Sequence, residues 1–268
     1  MKPTPAPSKP YALATTMIET SHPPKRAIWY FIKFFEQEEW ANQFLAGDLY
    51  LNTLHYFKTQ ESSDTADRGD PTEATSLWLQ PRDTIMTLRV PKLNLQTVIT
   101  EKDLAAPIQA SSKFHENLHI FCLTAPATDT PIVESGAISN LDVIHPQLRI
   151  DQKCFRMGKF AVAVPAISFL EQLRTTLKNR QLPASYKMVT YYDESTFSGP
   201  FAHDDIAFRK QKRFTYQREW RLCVNFRNET DSPRRLSIGR LPETSIKLSA
   251  NDFPRLNEIQ LRLENSTD

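Results

Sequence analysis

Glycine is scarce in this sequence, with six residues in 268 against nineteen prolines. That balance excludes collagen-like and flexible low-complexity architectures and places many stops on strands and helices. Cysteine is nearly as scarce. The three present, Cys122, Cys154 and Cys223, lie far apart beside apolar neighbours, which suits buried reduced thiols rather than a disulfide framework. No stretch approaches the ~18 consecutive apolar residues of a membrane helix, so no integral membrane protein is expected. Residues 1–24 are rich in Pro, Ser and Thr without a compact apolar run. They read as a flexible arm rather than a secretory signal, and a cytoplasmic location is expected. An excess of one charge is also missing: 33 Lys and Arg against 31 Asp and Glu leave a formal net charge of +2. Attraction to a polyanion would therefore need a local patch. Phosphate-binding glycine loops, dinucleotide fingerprints, nucleophile elbows and Cys-x-x-Cys pairs are all absent, which removes most common enzyme classes.

What is present is enough apolar material, 40% hydrophobic and 10% aromatic residues, for one substantial core over residues 25–268. Ile28 to Phe35 reads as a buried strand broken only by Lys33. A helix from Glu36, with Trp40, Ala41, Phe44 and Leu45 on one face, should stop at Gly47, and Leu49 to Phe57 returns to strand character. Lys58 to Thr75 is polar and reads as an exposed loop. Strands are expected near Thr84 to Val90, Leu95 to Ile99 and Leu118 to Thr124, then an irregular connection through Pro146. Lys159 to Val164 is a strand candidate. Ala166 to Lys178 is an amphipathic helix with Ile167, Leu170, Leu173 and Leu177 at helical spacing. Tyr186 to Tyr192 and a long Arg213 to Phe226 are further strands, and the tail Leu236 to Leu263 adds shorter ones. This order predicts a single α+β domain with a largely antiparallel or mixed sheet and a few flanking helices.

The most informative segment is Phe208-Arg-Lys-Gln-Lys-Arg-Phe-Thr-Tyr-Gln-Arg-Glu-Trp-Arg-Leu222. As a strand from Phe214 onward, it would place Phe214, Tyr216, Trp220 and Leu222, with Arg218, on one face. Gln217, Glu219, Arg221 and Cys223 would share the other. A carboxylate kept ionised by Arg221, with Gln217 orienting a substrate, is one way to hold a reactive acid in a cleft. A salt bridge on a solvated face accounts for the same pattern. The basic residues 209–221, interleaved with aromatics, also fit phosphate neutralisation and base stacking. Between Glu61 and Glu73 several carboxylates cluster, including Asp70 and Glu73 beside Arg68, but their spacing matches no metal-ligand set. His115 and His119 stand at i, i+4 without the rest of a zinc motif.

Two motifs together carry a resemblance. Asp70-Pro-Thr-Glu73, following a Gly47-Asp-Leu-Tyr-Leu-Asn52 strand, and Lys212-Arg-Phe-Thr-Tyr-Gln-Arg-Glu-Trp-Arg-Leu222 resemble a widespread, poorly characterised bacterial and phage family. That family has an early Asp-Pro-x-Glu loop and a late strand bearing an acid or amide, x, Glu, an aromatic and Arg. The layout is distantly similar to ADP-ribosyltransferases, whose late Gln-x-Glu supplies a glutamate that grips the nicotinamide ribose. The resemblance implies Glu219 as catalytic acid and Gln217 as the acceptor-facing group. It also implies Lys33, Tyr50 and Arg221 as contacts to an NAD cofactor, and Arg68, Asp70 and Glu73 as substrate or loop contacts. Lys33 stands where those enzymes carry Arg or His, and no Ser-Thr-Ser motif is found. The expected function is an ADP-ribosyltransferase-like effector of a toxin or phage-defence system, modifying a protein or nucleic-acid acceptor. The alternatives are a nucleic-acid-binding or nucleolytic protein using the basic segment, with Asp70 and Glu73 as metal ligands, and a non-catalytic partner subunit of a defence complex.

Overall fold

A computed structural model describes residues 27–60, 69–128, 141–227 and 232–258. The arm 1–24 and Arg68 lie outside the described residues. The architecture is α+β. Strands β1 (Tyr30–Phe35), β2 (Asp48–Thr53), β3 (His119–Thr124), β4 (Phe160–Pro165), β5 (Ala184–Met188), β6 (Glu219–Val224), β7 (Arg234–Ser237) and β8 (Ile246–Ser249) form the main sheet. The spatial order is β5-β6-β3-β1-β4-β8, every pair antiparallel, with β2 on the far half of β3 and β7 beside β2.

Both faces of this sheet are covered, which explains the nearly continuous apolar runs of β1 and β4. One face packs Phe31, Phe121, Val164, Trp220 and Leu222 against helices α1 (Glu38–Leu45) and, later in the chain, Ala166–Asn179. There Phe31 meets Phe169 edge-on at 5.4 Å and Trp220 at 4.8 Å. On the other face Tyr30, Ile32, Phe34 and Ala161 pack on Leu148, Cys154 and Phe253. Cys154 and Cys223 are buried free thiols and Cys122 is partly buried. Among the described residues no helix is long and apolar enough to cross a membrane.

Several elements differ from the expectation. Trp40 and Ile167 are exposed; Ala41 and Phe44, and Ala166, Phe169, Leu173 and Leu177, carry the packing of their helices. The strand expected through Phe57 ends at Thr53, whose side chain caps helix α2 (Leu54–Thr59) by accepting from the Tyr56 N–H at 3.1 Å. The irregular connection before Pro146 closes in a helix, α3 (Leu141–Leu148), with Pro146 near its end. The end of the polar loop, Gly69 to Thr75, is not exposed: Asp70, Thr72, Glu73 and Ala74 are buried, and Ala74 takes a left-handed conformation at φ 61°. The long strand expected from Arg213 is a 3-10 segment, Lys212–Gln217, followed by the shorter β6.

Gly47, which closes α1, has φ 91°, and a Cβ there would collide with the Gly239 backbone carbonyl. Gly47→Ala is therefore expected to lower stability by about 1–3 kcal/mol. Chemical denaturation reads this directly, and a variant as stable as the parent contradicts the assignment.

Candidate functional site

The register of β3 creates the site. On one side β3 is paired along its length with β6, from Glu219 opposite Thr124 to Val224 opposite His119. On the other side β1 pairs only at Thr124, through Ile32, and β2 only at Ile120 and His119, through Asn52 and Thr53. The sheet is thus split beside Cys122. Lys33 reaches across the split and donates from Nζ to the Cys122 carbonyl at 2.8 Å, so a backbone acceptor facing the gap keeps a partner. A cleft of about 90 Å³ opens there, lined by Lys33, Phe57, Cys122, Lys210, Gln217 and Glu219 among others. It is smaller than the ~300–1,000 Å³ that encloses a drug-sized ligand.

Gln217 and Glu219 meet in this cleft by a route other than strand alternation. Arg218 between them is left-handed, at φ 43°, and turns the chain from the 3-10 segment into β6. Its guanidinium is anchored on the carbonyls of Ala127, at 2.6 Å, and Gln147. Lys210 then ties the two side chains together, its Nζ donating to Gln217 Oε1 at 2.8 Å and to Glu219 Oε2 at 3.2 Å. From β6 onward period two holds: Trp220, Leu222 and Val224 enter the core while Glu219, Arg221 and Cys223 take the opposite face.

That face is buried rather than solvated. Arg221 is 1% exposed and Glu219 5%. Arg221 Nε donates to Glu219 Oε1 at 2.5 Å, and its terminal nitrogens hold both oxygens of Glu73 and the Ala207 carbonyl. Asp70 secures the turn that delivers Glu73, accepting from the Thr72 N–H at 2.9 Å and hydroxyl at 2.6 Å. The Glu219 N–H donates to the Tyr191 hydroxyl at 2.8 Å. The Asp-Pro-x-Glu turn and the Gln-x-Glu-Trp-Arg strand, 148 residues apart at Glu73 and Arg221, are therefore clasped by one buried guanidinium.

Burial alone would push the Glu219 carboxyl up; Arg221 and Lys210 outweigh it and hold the acid far below the usual carboxylate range. Glu73 moves the other way, because its burial exceeds the pull of Arg221. Burial also raises the Cys122 thiol, as does Glu219, leaving it a neutral donor rather than a nucleophile. A carboxyl lowered on folding contributes stability that is present above its unfolded pKa and lost as pH falls toward the folded value. Glu219→Gln should therefore flatten the loss of stability that begins near pH ~4.3 in the parent. Urea midpoints between pH ~5 and ~3 test this, and parallel profiles for the two proteins contradict it.

The remaining site residues divide. Lys33 lies at the cleft. Tyr50 does not: it is half exposed on β2, beneath the Arg235 guanidinium at 5.7 Å. Asp70 and Glu73 are internal braces rather than groups facing a ligand. Lys210, Cys122 and Tyr191 were not singled out from the sequence as site residues. The cations of the 209–221 segment are only partly engaged within the fold: Lys210 and Arg221 are buried and Arg209 pairs with Asp205, whereas Lys212, paired with Asp193, and Arg213 are exposed. His119 bonds the Ser232 carbonyl and His115 bonds Ser112, on different elements. Among the described residues no three His, Cys, Asp or Glu side chains are grouped to hold a metal. No protein-family model matches the chain, and no curated protein or solved structure shows significant similarity to it.

Proposed function

We propose that the split-sheet cleft is an active site of the ADP-ribosyltransferase type, using NAD to modify a macromolecular acceptor in the cytoplasm as part of a toxin or defence system. The observation that carries this reading is a carboxylate clamped between Arg221 and Lys210 beside the Gln217 amide at the floor of a cleft. An acid lowered by two adjacent cations is a poor proton donor, but its fixed charge suits a reaction in which positive charge develops. Cleavage of the nicotinamide N-glycosidic bond is such a reaction, since the ribose becomes oxocarbenium-like as the bond breaks. In this reading a ribose hydroxyl displaces Lys210 from Glu219 Oε2, its 3.2 Å contact. Lys33 and the freed Lys210 face the cofactor phosphates, and Gln217 faces the acceptor. Arg221 acts by pinning Glu219 rather than by touching NAD. The cleft takes only part of the dinucleotide, the rest lying along its open side.

Labelled NAD incubated with the chain and a cell extract tests this. Transfer of label, or release of nicotinamide, is expected; the absence of both contradicts it. The saturation of both Glu219 oxygens favours a second reading, in which the network only locks the Asp70–Glu73 turn onto β6 and the chain is a non-catalytic subunit of a defence complex. Under that reading NAD neither binds nor turns over.

A further inference from the structure

Two 3-10 segments, Gln152–Met157 ahead of β4 and Lys212–Gln217 ahead of β6, lie side by side at the cleft, with Cys154 Sγ donating to the Tyr216 carbonyl at 3.4 Å. Side chains three apart eclipse in a 3-10 helix. Cys154 with Met157, and Phe214 with Gln217, form the inward rows, and Met157 and Gln217 line the cleft. Lys153 with Arg156, and Arg213 with Tyr216, form the neighbouring rows: the three cations are exposed and the tyrosine is partly buried. These rows meet, because the Lys153 ammonium sits over the Tyr216 ring, 5.3 Å from its centroid. The Tyr216 hydroxyl accepts from Gln217 Nε2 at 3.3 Å, so the cationic surface runs up to the amide on the acceptor side of the cleft. Acids are close as well: Asp151 accepts from the Lys153 N–H at 2.8 Å, and Asp193 pairs with Lys212. Lys153 and Arg156 themselves are in no ion pair among the described residues.

We infer that this surface binds single-stranded nucleic acid and that a nucleotide of the bound strand is the acceptor; the second half rests on the active-site reading of the cleft. Arg156 and Arg213 offer planar forks to phosphate oxygens. A base stacking on Tyr216 replaces the Lys153 ammonium on the ring and releases it to a phosphate. Cations interleaved with an aromatic ring are what single-strand recognition uses, whereas an acidic peptide would engage the cations and leave the ring idle. A duplex keeps its bases stacked and out of reach of Gln217.

Fluorescence anisotropy of a labelled, mixed-sequence oligonucleotide of about 16 nucleotides, as DNA and separately as RNA, tests the assignment without NAD present. Binding of at least one strand is expected, tighter than that of the corresponding duplex. Its affinity should fall with salt at a log–log slope of about −2, as three phosphate contacts to a single strand give. Lys153→Glu with Arg156→Glu should weaken binding about tenfold or more. Tyr216→Leu should weaken it roughly 5- to 100-fold, the worth of one stacked base. Lys178→Glu with Arg180→Glu makes the same change of charge at the end of the helix on the opposite sheet face and should leave binding unchanged. Circular dichroism of the variants should match the parent; if the Lys153 and Arg156 double variant unfolds, Arg213→Glu replaces it. No binding of either strand, an equal loss on changing Lys178 and Arg180, or equally tight binding of the duplex or of a glutamate oligopeptide of the same charge overturns the assignment. Nicotinamide release, measured apart, separates the two readings: release without strand binding sinks the nucleic-acid acceptor and leaves the cleft reading intact. Strand binding without release sinks the cleft reading and the acceptor role while the binding surface stands.

Discussion

Arg221→Met is expected to destabilise the fold by about 3–5 kcal/mol, the cost of breaking a buried ion network from one side. Methionine fills much of the same volume, so the loss is one of charge and hydrogen bonds rather than packing. Glu73 and Glu219 are both buried and both depend on this guanidinium, and the Ala207 carbonyl loses a donor with it. Lys210 remains beside Glu219, so Glu73 suffers more, and the Asp70–Ala74 turn should detach from the sheet. Equilibrium unfolding in urea reads the loss. The companion Arg221→Met with Glu73→Gln should recover part of it, since the second change removes one stranded charge. A single variant within about 1 kcal/mol of the parent would mean that the network contributes little.

The second large effect concerns the proposed reaction. Glu219→Gln keeps the shape but removes the charge and turns one acceptor into a donor, and is expected to lower NAD turnover by about 100- to 1,000-fold. Gln217→Ala should lower transfer to the acceptor more than release of nicotinamide, because it is placed on the acceptor side. Nicotinamide release measured beside label transfer separates the two. If Glu219→Gln retains turnover while its folded fraction matches the parent, another group carries the chemistry.

Part of this site was legible in the sequence because local rules survive folding. Period two within Glu219–Val224 put the acid and the guanidinium on one face and Trp220, Leu222 and Val224 on the other. Gly47 after an apolar helix face marked the end of α1, and apolar runs enriched in β-branched and aromatic residues located β1, β3 and β4. What was not legible depends on contacts between distant segments. Nothing local distinguishes Lys210 from the cations around it, yet it alone of Lys210, Lys212 and Arg213 is buried, because it meets Gln217 and Glu219. The polar composition of Asp70–Glu73 signals exposure unless a cation 148 residues away neutralises it. The left-handed Arg218 interrupts what alternation reads as one long strand, and no glycine or asparagine advertises the turn. Trp40 and Ile167 are left largely uncovered among the described residues, a fact of assembly rather than of periodicity.

The reading of the cleft rests on an acid held ionised against its own burial. Carbon-detected NMR of the Glu219 side-chain carboxyl, assigned by comparison with Glu219→Gln, follows that state through an acid titration. The resonance is expected to stay at its ionised position from neutral pH to below about pH 3. A midpoint near the ordinary glutamate value of about 4.3 would show that Arg221 and Lys210 do not fix the charge, and the chemistry built on it would fall.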